Sequence, residues 1–280
     1  MLEIYREHHH RTKQIFLLAR TELLKTYKGA FLGTGWAVVK PIFTLFVYWF
    51  AFSVGLSSSK NIIAHAIGGS VEVPRFWFML AGFVPWCFIS DAILFGSRSI
   101  RSNRQFVIKM AFPVSTIMTF TLLSKLFVHL GLMIPTLIYF FCVGNFLSVH
   151  ALQFFLFMPL MFIFFLFVSW STAPMSAFSL DFENFINSIM TGLFWLSGIM
   201  WDVNGAKLPA SLHWFKWVLR ANPINFLVDG YRCAFIYHKW FWEMECGWQT
   251  AVIFLAEMIF FAFFGVYNYK RLRKKLPDVL

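Results

Sequence analysis

The sequence predicts an all-α integral membrane protein with six transmembrane helices, and three observations carry that prediction. Of 280 residues, 59% are hydrophobic and 13% charged, against about 45–50% and about 25% in an ordinary soluble domain. The apolar residues gather into runs near the roughly 20 residues that a helix needs to cross a bilayer. The 24 lysines and arginines collect beside those runs and do not form one basic face.

The runs are 36–56, 76–97, 115–143, 152–178, 185–201 and 248–269, with Pro159 and Pro174 interrupting the fourth. A helix satisfies its own backbone hydrogen bonds, so it is the element that such a run forms in lipid. Polar SSSKN at 57–61, a turn at 144–150 and SLDFE at 179–183 mark connections between runs.

Charge sets the orientation. Six Lys and Arg precede residue 40, four lie between the second and third runs, and five form the tail at 269–275. All three groups fall on one side of a six-span arrangement, and cytoplasmic loops carry such an excess. The chain is therefore expected to be multi-pass in the cytoplasmic membrane with both termini in the cytoplasm. Lys60, Arg75 and five cations in 202–247 fall on the other side, so the bias is partial. Residues 1–30 contain no secretory pattern. The net charge of +11 sits beside the spans, so no nucleic-acid partner is expected.

Residues 12–28, TKQIFLLARTELLKTYK, set Ile15, Leu18, Ala19 and Leu23 at helical spacing, with Lys13, Arg20 and Lys25 on other faces. That pattern suits a helix lying at the membrane surface, cations toward anionic headgroups; a solvated leader is the plainer alternative. The layout is thus a cytoplasmic N-terminus at 1–33, a six-span domain at 34–269 and a basic tail at 270–280.

Between the second and third runs, Ile100, Phe106, Val107 and Met110 can form an apolar stripe while Arg98, Arg101, Arg104 and Lys109 stay wet. Pro113 stops the helix. A short cytoplasmic amphipathic helix over 98–112 has the size and polarity to fill a groove in a soluble partner. A loop that only fixed topology would need the cations but not the ordered apolar positions.

The connection at 202–247 is too interrupted for a span and too aromatic for a free loop. LHWFKWVLR at 212–220 is expected as one short helix, and NPINFLVDGYRCAFI at 222–236 as a second, with Asn222 as N-cap and Pro223 in the first turn. Both should dip into the outer interface.

Motifs for chemistry are missing. The sequence has no GxxxxGK[ST], HExxH or GxSxG, so no enzymatic activity and no bound cofactor is expected of this chain. His8, His9 and His10 are more simply solvated than metal-binding, and the four cysteines show no CxxC pair or metal spacing. Lys125 and His129, one turn apart, and Asp91 and Glu257 lie at membrane depth, where ionisable groups usually face a bundle interior or a water-filled path. Asp91 and Lys125 can equally snorkel from near the span ends. Neither Lys125 nor His129 has an evident acid partner in the sequence, which weighs against an intramembrane transferase.

Four stretches carry a resemblance to a known family: YKGAFLGTGWAVVKP (27–41), FMLAGFVPWCFISDAI (78–93), SIRSNRQFVIKMAFPVS (99–115) and LRANPINFLVDGYRCAFIYHKWFW (219–242), with DVL at the end. In this order they resemble the membrane permease subunit of ABC exporters of lipid-linked cell-surface polysaccharide. The wording PWCFISDAI, VIKMAFPVSTI and GYRCAFIYHKWFWE is most similar to the wall teichoic acid translocation permeases; O-antigen and capsule permeases share much of it. A small-molecule ABC exporter permease shares the fold.

The resemblance implies a homodimer paired with two copies of a separate ATPase subunit, which would bind ATP and Mg, and a lipid-linked polysaccharide as substrate. It implies ATPase coupling through Arg98, Arg101, Arg104, Phe106, Lys109 and Met110, and two outer gate helices over 208–236. Lys207, Lys216, Arg220, Asn222, Pro223, Tyr231 and Arg232 fall in or beside them. For the substrate path, Trp36, Tyr48, Trp77, Trp86, Trp195 and Trp201 offer flat faces on which sugar C–H surfaces can slide. The same residue types also anchor membrane interfaces, and both readings stay open.

Overall fold

The computed structural model describes residues 2–9, 11–55, 60–67, 69–108, 112–205 and 209–276. It is mostly helical. In chain order the elements are α1 (Leu2–His9), α2 (Thr12–Thr26), α3 (Trp36–Phe50), β1 (Asn61–Ala66), β2 (Gly69–Pro74), α4 (Arg75–Ser102), α5 (Arg104–Ile108) and α6 (Val114–Cys142). Then come α7 (Phe154–Phe178), α8 (Leu180–Leu196), α9 (His213–Ala221), α10 (Pro223–Arg232) and α11 (Gly247–Leu272).

Five segments are long and apolar enough to cross a membrane: Gly33–Gly55, Arg75–Ser102, Val114–Cys142, Val149–Phe178 and Gly247–Leu272. Pro41, Pro85, Pro135, Pro159 and Pro174 all sit inside helices, which lipid tolerates because neighbouring groups re-satisfy the freed backbone. The expected fifth run appears as α8, which starts and ends five residues earlier than 185–201 and has 17 residues. At 1.5 Å per residue it is only about 25 Å long.

Contacts define two ends. At one, the elbow end, the α4–α6 connection meets α1, α2 and the tail: Glu7 accepts from the Ser115 hydroxyl and lies 3.7 Å from Arg273, and His8 Nε2 lies 2.7 Å from Thr119 Oγ1. Glu183, just past the α7–α8 turn, approaches Arg98 and Arg101 there. At the other, the hairpin end, β1 and β2 pair antiparallel from Asn61↔Pro74 to Ala66↔Gly69. His65 Nδ1 lies 3.1 Å from Asp202, and the Ile67 amide donates to the Glu243 carbonyl at 2.8 Å. The hairpin was not expected; SSSKN at 57–61 reads as a plain polar connection. α8 thus runs from the elbow end toward the hairpin end.

α4 is the central helix, packed against α6, α7 and α10, while α7 pairs with α11. In its most apolar stretch 67% is buried, against 11% for the first span. Small residues let the helices approach. A Cβ on Gly265 of α11 would stand 2.5 Å from the Phe167 carbonyl oxygen of α7, and one on Gly96 of α4 would stand 2.3 Å from Ser169 Oγ. α3 packs more loosely, flanked by a 3-10 turn at Gly33–Gly35 and a π-helical turn at Ala51–Gly55.

Candidate functional site: chamber, elbow and outer layer

Between the end of α2 and the helices α3, α4 and α6 lies a cavity of about 460 Å³. Trp36 and Lys40 reach it from α3, Asp91 and Phe95 from α4, Lys125 and His129 from α6, and Tyr27 lines it just past the end of α2. Lys125 Nζ sits 3.4 Å from Asp91 Oδ2 and 3.4 Å above the Phe95 ring. Its side chain is 8% exposed, whereas the Asp91 carboxylate is 34% exposed. The sequence hides this ion pair because its members are 34 residues apart; Lys125 does have an acid partner. Asp91 lies 11 residues before the end of α4, about 17 Å along the helix. His129 turns elsewhere, its Nε2 2.8 Å from the Tyr231 hydroxyl. Outside the spans, burial raises the Tyr27 phenol above its ordinary pKa, and the Asp91 carboxylate adds to the shift.

The elbow is built differently from one helix over 98–112. α4 continues through Ser102 and breaks at buried Asn103, whose side-chain amide donates to the Ser99 carbonyl at 3.1 Å. Arg98 and Arg101 therefore belong to the last turns of α4 and are not simply wet. Arg101 donates to the Ser176 carbonyl and, at 3.2 Å, to the Ala177 carbonyl at the end of α7. Arg98 and Arg101 lie 3.9 and 4.0 Å from Glu183.

The five-residue α5 holds the rest. Arg104, Gln105 and Ile108 are exposed, while Phe106 faces inward, its ring 5.3 Å from Phe112 and 5.8 Å from Phe120. These rings join Ile15, Ala19 and Ile117 in a small apolar cluster that fastens α5 to α2 and α6. The expected apolar stripe thus packs against the protein itself. Lys109 and Met110 lie outside the described residues.

At the hairpin end the expected gate residues form a hydrogen-bonded layer. Asn222 caps α10, its Oδ1 accepting from the Ile224 amide at 3.0 Å, with Pro223 in the first turn. Lys216 Nζ donates to the Asn204 carbonyl at 2.5 Å; Arg220 donates to Asn204 Oδ1 at 2.9 Å and to Glu245 at 2.6 Å. Arg232 is 2% exposed: it donates to the carbonyls of Gly198 and Ile199 at 2.9 and 2.8 Å and to Asp229 at 3.0 Å, and stacks 3.5 Å above Phe78. Lys207 lies outside the described residues. His238 bridges Ser148 and Asn145 at 2.9 and 2.8 Å, and burial, then nearby His150, lowers its pKa. All four cysteines are free thiols.

Of the six aromatic residues expected along a path, Trp36 lines the chamber. Tyr48 and Trp86 pack on Phe194 with centroids 5.3 and 5.5 Å apart, and Trp195 follows it at 5.1 Å. Trp201 Nε1 donates to the Trp195 carbonyl at 2.8 Å. Together these form an aromatic seam across α3, α4 and α8. Trp77 stands apart, its ring edge on Phe140.

Long apolar helices that enclose a charged chamber, with a basic elbow at one end, define a polytopic membrane protein of the kind that serves as a transport subunit. The chain belongs to the ABC-2 type transporter family, whose profile matches residues 13–236, from α2 through the π-helical turn that follows α10. It is also 21% identical over 241 residues to the O-antigen export system permease protein RfbA of Myxococcus xanthus, covering 85% of this chain and 86% of that protein.

Proposed function

We propose that this chain is the permease half of an ATP-driven exporter that carries a lipid-linked cell-surface polysaccharide across the cytoplasmic membrane. Membership of the ABC-2 family supports the transport role, and the near full-length likeness to an O-antigen export permease supports the cargo class. In this reading α8 is the sixth span, both termini are cytoplasmic, and two copies of the chain pair with two copies of an ATPase that binds ATP and Mg. Unpaired hydroxyls and phosphates in hydrocarbon cost several kcal/mol each, so a polymer needs a polar or aromatic-walled route. The seam of Tyr48, Trp86, Trp195 and Trp201 offers such a wall at the loosely packed α3. Wall teichoic acid is the polymer favoured by the sequence wording; the relative from Myxococcus favours O-antigen as the second reading.

The observation that carries coupling is the division of the elbow. Arg104, Gln105 and Ile108 face outward, free to meet a soluble partner, while Phe106 ties α5 to α2 and α6. A push on α5 therefore reaches α2 and α6 through Phe106, while the end of α4 just before α5 meets α8 through the Glu183 contacts. Charge reversal across an interface costs several kcal/mol, so Arg104→Glu should lower complex formation with the ATPase, or substrate-stimulated hydrolysis, by about tenfold or more. Arg101→Glu should instead disturb the α4–α7 contact within the chain. The deciding assay is hydrolysis by the purified complex with lipid-linked teichoic acid and with lipid-linked O-antigen. Stimulation by neither, or unchanged assembly in Arg104→Glu, rejects the corresponding part of the proposal.

A further inference from the structure

The polar chamber does not end at its charged residues. A second cavity of about 210 Å³, lined almost wholly by apolar side chains such as Ile42, Leu45, Leu80 and Tyr139, runs between the same three helices toward the hairpin end. The two share Pro41, Phe83 and Leu132 as walls, so a charged lower cavity and an apolar upper one adjoin. The lower part offers Lys40 and Lys125 against the single carboxylate of Asp91, and hydroxyls from Tyr27, Thr44 and Ser90.

We propose that this two-part space holds a single-chain lipid phosphate, its anionic head between Lys40 and Lys125 and its hydrocarbon chain in the apolar groove. Lys125 is held at the chamber wall by Phe95 and Asp91, so its ammonium is in position before a ligand arrives. Asp91 compensates that charge when the chamber is empty, and the arriving phosphate takes over from it; charge-assisted contacts to phosphate are among the stronger hydrogen bonds. A cavity of about 210 Å³ suits part of one chain and not the two of a glycerophospholipid. The occupant would be the carrier lipid of the exported polymer, and in that respect the inference rests on the function proposed above.

The test is equilibrium binding of radiolabelled farnesyl diphosphate to the purified full chain in phosphatidylcholine nanodiscs. Lys40→Gln should weaken binding several-fold. The double variant Lys125→Gln/Asp91→Asn, which removes both members of the ion pair together, should weaken it about tenfold or more. Asp91→Asn alone should hold or strengthen binding, whereas a merely structural ion pair would lose it in both variants. Farnesol, phosphatidylglycerol and inorganic diphosphate should each fail to compete. Wild-type affinity in the double variant overturns the proposal. So does equal competition by farnesol, by phosphatidylglycerol, which would mean a bulk-lipid site, or by inorganic diphosphate, which would mean a free-anion site. The readout needs neither ATPase nor polymer. Lys125-dependent binding without polymer-stimulated hydrolysis keeps the chamber and removes the cargo; stimulation without binding removes the chamber alone.

Discussion

Replacing Arg232 by alanine should be among the most damaging single changes at the hairpin end. Its guanidinium serves two backbone carbonyls just beyond α8 and the Asp229 carboxylate, and covers Phe78. Truncation leaves those carbonyls without their donor, at about 1–3 kcal/mol for each buried unsatisfied group, and removes a cation–π contact worth about 1–2 kcal/mol when desolvated. The sum, about 3–8 kcal/mol, spans the ~3–5 kcal/mol cost of breaking a buried ion pair by removing one partner. Arg232→Lys keeps the charge but cannot span all acceptors, and should lose about half as much. Gly82 tests the same geometry from the other side, because a Cβ there would stand 2.6 Å from the Arg232 Nη2 and 2.7 Å from the Ile199 carbonyl oxygen. Gly82→Ala should cost about 1–3 kcal/mol, and less than additively when combined with Arg232→Ala. Denaturant titration in detergent, with protease sensitivity at 197–205 as a local probe, measures these values. Stability of Arg232→Ala within about 0.5 kcal/mol of wild type, the range of ordinary surface changes, would refute this role of Arg232.

Gly230 offers a second packing test: a Cβ there would meet the buried Phe157 ring at 2.3 Å, so Gly230→Ala should cost about 1–3 kcal/mol in the same titration. Glu183→Gln should leave the unfolding midpoint unchanged, since its contacts at 3.9 and 4.0 Å involve arginines about a third exposed and such pairs are worth about 0–1 kcal/mol; trypsin cleavage at Arg98 and Arg101 should nevertheless quicken, and a clear loss of global stability would contradict this. His238 supplies the pH dependence. Its pKa is lowered in the folded state, so its stabilising effect is full above the ordinary histidine value and drains as pH falls below it. Hydrogen-exchange protection at 145–153 and 233–240 should fall between pH 7 and 5, and His238→Asn, which tolerates the left-handed backbone at φ 50°, should abolish that change.

The spans were legible because lipid demands long apolar runs and leaves few other solutions. The Asn222 cap and the two short helices before α11 were legible for a local reason: cap and proline signals act within a turn. What depends on register between distant helices was not. The pairing of Asp91 with Lys125, and the capture of Arg98 and Arg101 by Glu183 and α7, join residues whose relative rotation no local pattern encodes. Arg232 reads as an outer gate residue from its place in the 202–247 connection; only the fold brings the carbonyls after α8 beneath it. The hairpin had a usable sign, two short β-branched stretches around Gly68-Gly69, obscured by the polar residues ahead of it. Phe106 was recognised as apolar, but its partners Phe112 and Phe120 lie across a helix break that the pattern at 98–112 does not reveal.

The slack seating of α3 has one more consequence. With 11% of its most apolar stretch buried and glycine-bearing turns at both ends, the first span is held less tightly than α4, α6, α7 and α11. In the exporter proposed above, residues on that one helix would set the width of the route beside the aromatic seam, with the packing of α4, α6, α7 and α11 left as it is.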